Sequence, residues 1–252
     1  MSYRISFAVQ MLSNLMIIGL FYFIGKVVGS VSLPALKSYG GNFMAFLLIG
    51  ISLTDCVGTG LFSAATQIRE AQMSGTLEAT LLSPVPMPLM LAYSSLWNFF
   101  MSAVRFLCYM VAGAIVYGVD LRQGNVPAAV LIFMLTVLCF TGVGMLWAGI
   151  VMVVKRGESI MTFGGMIVLF FSGVLFPPDM LPRWMQRAAE LIPLTPALEG
   201  MRHAMLQGYS MHQLLPIVGR LAGFTMFFVL AGMWGFAWSV HLAKRTGSLS
   251  QY

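Results

Sequence analysis

Long apolar runs alternate with short polar connections along this chain, and each run is long enough to cross a bilayer as a helix of ~20 residues. The runs predict spans at about 12–31, 42–65, 89–118, 126–154, 159–176 and 214–243. The fold they predict is an all-α integral membrane protein, a six-span helical bundle forming one transmembrane domain over residues 1–252. Six spans place both termini on the same side.

The stretch from Phe171 to Gly208 breaks this pattern. It is too charged and proline-rich to cross a membrane, yet too apolar for a free loop. Pro177, Pro178, Pro182, Pro193 and Pro196 cut it into two pieces. In the first, Trp184, Ala188, Leu191 and Ile192 share one helical face, with Arg183, Gln186, Arg187 and Glu190 opposite. In the second, Thr195 suits the cap, Pro196 the first position and Gly208 the exit. Leu198, Met201 and Met205 repeat the apolar stripe, while Glu199 can pair with Arg202 or His203 one turn on. The pattern predicts a short amphipathic helical hairpin between spans five and six, at or dipping into a membrane surface.

Composition agrees. The chain is 252 residues long, 59% hydrophobic and only 9% charged, where soluble domains carry about a quarter charged residues. That length leaves no room for a second soluble domain beside six spans. The net charge of +6 is scattered, which suits an anionic membrane face and not nucleic acid. Cys56, Cys108 and Cys139 lie in apolar runs without metal-ligand spacing, so neither a metal site nor a disulfide is expected. The apolar N-terminal run lacks a small-residue cleavage site and reads as a retained helix. Basic residues fall almost evenly on the two sides. Setting aside those of the hairpin leaves the terminal side richer, which favours cytoplasmic termini.

Two charges fall inside predicted spans. Asp55 lies near the middle of span two and Arg105 near the middle of span three. Consecutive antiparallel spans bring them to comparable depth, ~8 Å apart along the axis. Lone charges at that depth are costly, so an intramembrane pair fixing spans two and three is expected. The competing role for Asp55 is to line a polar part of a transport path.

The connection 66–88 is the most informative polar segment. Ser74 or Thr76 can start a short helix after Gly75, Leu77, Leu81 and Leu82 give it an apolar face, and Pro84, Pro86 and Pro88 end it. Such a tethered helix suits docking into a groove of a soluble partner, or covering the bundle end.

The run from Glu70 to Val85, E-x-x-x-x-G-T-L-E-x-x-L-x-S-P-V, resembles the first cytoplasmic coupling loop of ATP-binding-cassette exporter permeases of the type-2 class. F-S-G-V-L-F-P-P-D-M-L-P-x-W, from Phe171 to Trp184, is similar to their signature before the sixth helix, and I-P-L-T-P-A-L-E-G-M-R, from Ile192 to Arg202, continues it. The resemblance extends over the whole chain in order of elements. It implies a permease of the cytoplasmic (inner) membrane with both termini cytoplasmic, pairing with a second permease chain as a homodimer and with two phosphate-loop ATPase subunits. ATP and Mg would sit on those subunits, with no cofactor, metal or catalytic residue on this chain. The resemblance further implies that Glu70, Gly75, Thr76, Leu77, Glu78 and Leu81 transmit ATPase motion, with Lys155, Arg156 and Glu158 as a second, smaller contact. The hairpin 177–208 would be an extracellular gate carried by Pro177, Pro178, Leu181, Pro182, Trp184, Pro193, Pro196, Glu199 and Arg202. The short N-terminus departs from the pattern, leaving little of the interfacial helix many relatives carry.

The sequence has no G-x-x-x-x-G-K-[ST] phosphate loop, so it does not bind ATP in that way. Its three histidines are dispersed, and no H-E-x-x-H or G-x-S-x-G appears, which speaks against a membrane enzyme. The expected function is outward movement of an amphiphilic substrate (drug, lipid or glycan) powered by a separate ATPase. The rival is an ATP-independent secondary transporter or channel, which would show more intramembrane ionisable groups.

Overall fold

A computed structural model of the chain describes residues 43–75, 87–118, 124–153 and 158–246, with helical positions at 9, 12, 13, 16, 19, 20 and 23. The elements among them are helical: α1 (Phe43–Met73), α2 (Met87–Tyr117), α3 (Val126–Val153), α4 (Glu158–Phe171), a 3-10 turn (Pro178–Met180), α5 (Arg183–Glu190), α6 (Leu194–Leu206) and α7 (Met211–Thr246). Among the described residues, four helices are long and apolar enough to cross a membrane, within Phe43–Ala71, Leu96–Ile115, Val126–Met152 and Met211–Leu242. They correspond to predicted spans two, three, four and six. Span one falls mostly outside the described residues.

Two boundaries differ from the sequence reading. Span two, expected to end near residue 65, continues as helix to Met73. Nothing between Thr66 and Met73 breaks a helix, and Ser74 closes it by donating its hydroxyl to the Glu70 carbonyl at 2.7 Å. Gly75 then takes a φ of 69°, which a side chain would resist. Span five, expected to reach Phe176, is a helix of 14 residues ending at Phe171. At ~1.5 Å per residue it reaches only about 21 Å, short of the ~30 Å hydrocarbon core. Gly173 ends it with a φ of 76°, and Pro177 and Pro178 prevent its resumption. The start of α7 has its own device. The Gln213 side-chain oxygen accepts both the Ser210 amide at 2.9 Å and the Ser210 hydroxyl at 3.2 Å, fixing the first turn ahead of Pro216.

α3 is the axis of the bundle, packing on α1, α7 and α6. It carries no charged residue, so it has no face that resists burial. Ile132 and Phe140 from α3 join Leu48 and Leu53 of α1, Tyr109 of α2, Leu198 and Met201 of α6 and Leu221 of α7 in one core. Spans in lipid gain little from apolar contact alone and depend on close packing. Here α3 and α7 meet through Gly142 and Gly232, where a Cβ on either would strike backbone of the other helix. Gly142→Val should therefore cost about 1–3 kcal/mol of stability, the range for overpacking of this kind, and lower the unfolding midpoint in detergent. An unchanged midpoint would show that the helices can part at no cost.

Most of the described intramembrane hydroxyls are bonded within the protein, as lipid demands, whereas the buried Ser63 hydroxyl has no partner among the described residues. Ser52, Thr54 and Thr59 donate to carbonyls one turn back on α1, and Thr136 and Thr141 do so on α3. Thr225 of α7 lies 3.1 Å from the Leu135 carbonyl on α3, crossing between helices.

Candidate functional site

Halfway along α1 and α2 the two intramembrane charges meet. Arg105 Nε donates to Asp55 Oδ2 at 2.9 Å, with both side chains largely buried. The other arm of the guanidinium, Nη2, reaches Thr59 Oγ1 at 2.8 Å and Ser102 Oγ at 3.1 Å. Residues 55 and 59 lie one turn apart on α1, and 102 and 105 one turn apart on α2, so helical spacing alone assembles the cluster. A fork whose Nε meets a carboxylate and whose Nη2 meets two hydroxyls has a counter-charge and bonded donors, the conditions that favour a charge persisting at this depth.

The second constellation lies at the end of the bundle formed by the starts of α1, α3 and α7. There the chain leaves α4, makes the 3-10 turn and returns as α5 and α6. The sequence reading put Arg202 on the polar face of a surface helix. The structure corrects this, because Arg202 is 2% exposed, the largest fully buried side chain described. Its Nη1 donates to the Gly173 carbonyl at 3.0 Å, and its Nη2 to those of Val174 at 3.1 Å and Phe46 at 3.3 Å. The guanidinium lies over the Phe46 ring, 3.4 Å from its centroid. Carbonyls released where α4 breaks would be orphans in an apolar surround, and Arg202 supplies their donors. Gly50 makes the room, since a Cβ there would lie 2.6 Å from the Val174 carbonyl oxygen and 2.9 Å from Arg202 Nη2.

The remaining hairpin residues divide by depth. Pro177, Pro193 and Pro196 are buried, Pro178 and Leu181 half-buried, and Pro182 exposed. α6 is embedded, with Leu194, Leu198, Met201 and Met205 in the core. The predicted apolar face of α5 is split: Trp184 is 66% and Leu191, just past the helix, 73% exposed, while Ala188 is half-buried and Ile192 packs on the core. The expected cap also differs. α6 starts at Leu194, so Pro196 falls in its first turn but not at its first position. Thr195 donates back to the Ala189 carbonyl at 2.7 Å, tying α6 to the end of α5. Gly208 closes α6 with a φ of 61°, at the expected exit. Glu199 pairs with neither Arg202 nor His203. Its ionic neighbour is Arg220 of α7, at 3.9 Å, while His203 stacks on Tyr209 and meets Gln207 Oε1 at 2.7 Å. Beneath the hairpin is a cavity of about 220 Å³, lined by Ser172, Asp179, Glu190, Glu199, Arg220 and Phe224 among others.

Three of the expected coupling residues are described, at the opposite end of the bundle. Glu70 is exposed on the last turns of α1, with Gly75 just beyond. Glu158 is the first residue of α4. Thr76, Leu77, Glu78, Leu81, Lys155 and Arg156 lie outside the described residues.

Two residues the sequence reading passed over take part. Arg220 is the lone Asp, Glu, Lys or Arg between Met211 and Ala243, a signal visible in the sequence. Asn125 binds the start of α3 to the hairpin. Its amide donates to the Ala204 carbonyl at 2.8 Å, its side chain to the Tyr209 carbonyl at 2.9 Å, and its Oδ1 accepts the Ala128 amide at 3.2 Å.

Comparison with known proteins adds two findings. A family model described as "ABC-2 type transporter" matches residues 1–206. The chain is also 26% identical over 176 residues to the linearmycin resistance permease protein LnrN of Bacillus subtilis (strain 168). That match takes in 69% of this chain but 44% of the relative, so the chain spans less than half of the relative's length.

Proposed function

The chain belongs to the ABC-2 type transporter family, and on that premise we propose that it is the permease subunit of an ATP-driven exporter. Its cargo is an amphiphile (a drug, lipid or glycan), moved outward with energy from ATPase subunits on separate chains. The family match over residues 1–206 carries this reading. The sequence has no phosphate loop, so this reading assigns ATP hydrolysis to another chain. The relative's name, a resistance permease, is in keeping with an amphiphilic cargo. In this reading the protein sits in the inner membrane with six spans and cytoplasmic termini. It acts as a homodimer with two ATPase subunits, which hold ATP and Mg.

The described geometry offers a route for coupling. α1 is one helix of 31 residues, about 46 Å long at ~1.5 Å per residue. Near its start, Phe46 and Gly50 lie against Arg202 of the hairpin. At its centre Asp55 fixes it to α2. Near its end, Glu70 and Gly75 face the coupling side. A packed helix moves as a rod, so displacement of the Glu70 end by an ATPase tilts the end that holds the hairpin. Thr76, Leu77, Glu78 and Leu81 form the ATPase-facing loop, with Lys155, Arg156 and Glu158 as the second contact.

Affinity purification from the native host in mild detergent tests the reading. A stoichiometric phosphate-loop ATPase is expected, lost when Glu78 and Leu81 are both changed to Lys. A preparation of this chain alone that still transports in vesicles without ATP would establish the secondary-transporter rival.

A further inference from the structure

The cavity beneath the hairpin has a definable depth in the membrane. From Leu221 to Leu242, α7 carries no Asp, Glu, Lys or Arg, and at ~1.5 Å per residue this stretch matches the ~30 Å hydrocarbon thickness. Arg220 stands at its hairpin-side border, the level of lipid head groups. Trp184 on α5 and Leu191 just after it, both exposed, mark the same level independently, because an exposed Trp beside polar residues suits the membrane interface.

The lining carries both signs of charge. Asp179, Glu190 and Glu199 supply carboxylates; Arg202 also reaches the lining, with Nη1 and Nη2 given to backbone carbonyls, and Arg220 adds a guanidinium that is 58% exposed and 3.9 Å from Glu199. Charge-assisted bonds close to about 2.7–2.9 Å, so the Arg220 fork keeps donors open to a further acceptor. The cavity, at about 220 Å³, exceeds what a single ordered water needs. Its apolar wall is Phe224, one turn deeper than Arg220 on α7. Beyond it Phe227 and Leu230 lie 63% and 57% exposed, a track for acyl chains leading down from the cavity.

A simple anion would meet more carboxylates than open guanidinium here, and a simple cation would leave Arg220 unanswered. A head group with a phosphate and an ammonium answers both. We propose that this cavity binds the head of a zwitterionic phospholipid, with Arg220 taking the phosphate and Asp179 and Glu190 the ammonium. The site does not depend on the exporter reading, because its depth follows from α7 and its charges from the hairpin.

The test is native mass spectrometry of the full chain, stripped of lipid in detergent and titrated with phosphatidylethanolamine. Phosphatidylglycerol, diacylglycerol and inorganic phosphate are run in parallel. Phosphatidylethanolamine should bind at least about tenfold tighter than phosphatidylglycerol, which keeps the phosphate and lacks the ammonium. R220Q and the double variant D179N/E190Q should each weaken it about tenfold, a ~1.4 kcal/mol change. All three side chains are solvent-facing, so both variants should keep the wild-type unfolding midpoint without lipid. Wild-type affinity in either variant, equal binding of phosphatidylglycerol or diacylglycerol, or saturation by inorganic phosphate alone would overturn the proposal.

Discussion

Arg202→Met is expected to cost the protein about 3–5 kcal/mol, the range for breaking a buried charged network by removing one member. The methionine fills part of the space but donates nothing. The carbonyls of Gly173, Val174 and Phe46 would lose the bonds that Arg202 makes to them, in a region where lipid and core side chains offer no substitute. Arg202→Lys should fall between wild type and methionine. It restores the charge, but a single ammonium cannot spread over three carbonyls and lie flat on Phe46 at once. Thermal unfolding in detergent reads both variants. If methionine and wild type unfold together, the guanidinium is not what holds the broken end of α4.

The second large effect is expected at Asp55. Asp55→Ala leaves Arg105 with two hydroxyls and no counter-charge, for a loss of about 3–5 kcal/mol. Combining it with Arg105→Met should recover much of that loss, because the double variant no longer buries a lone charge. The pattern separates the two roles open to Asp55. Full expression and stability in Asp55→Ala, with transport lost, would place the carboxylate on the path and not in the packing. Failure of the double variant to recover would mean that Thr59 and Ser102 require the charges for their own placement.

Much of this architecture is legible from residue pattern, and the exceptions share a cause. Apolar run length locates α1, α2, α3 and α7 because lipid imposes one solution on the backbone. The meeting of Asp55 and Arg105 follows from depth, since a charge in a span has few places to go. Arg202 is different. Helical periodicity sees an arginine beside Glu199 and His203 and gives it a polar face. Its actual partners are carbonyls of Phe46, Gly173 and Val174, and carbonyl orientation leaves no mark in the side-chain sequence. The early end of α4 is hidden for the same reason. Phe171 to Phe176 is apolar enough to continue a helix, and only the positive φ of Gly173 shows that it does not. Spacing offers Glu199 only partners within one turn, whereas Arg220 lies on another helix.

The bonds of Arg202 also imply an order of events during synthesis. Phe46, Gly173 and Val174, which receive its donors, all precede it in the chain. A ribosome delivers them first, so the carbonyl cradle and the Phe46 ring emerge from the exit tunnel ahead of Arg202. The arginine then has a destination when it emerges, and its charge need not wait in hydrocarbon for a partner. Closure of the hairpin is thereby a late event of biogenesis. A chain truncated before residue 202 would leave the insertion machinery with its α4 carbonyls still open, a mark by which quality control could tell an unfinished protein from a finished one.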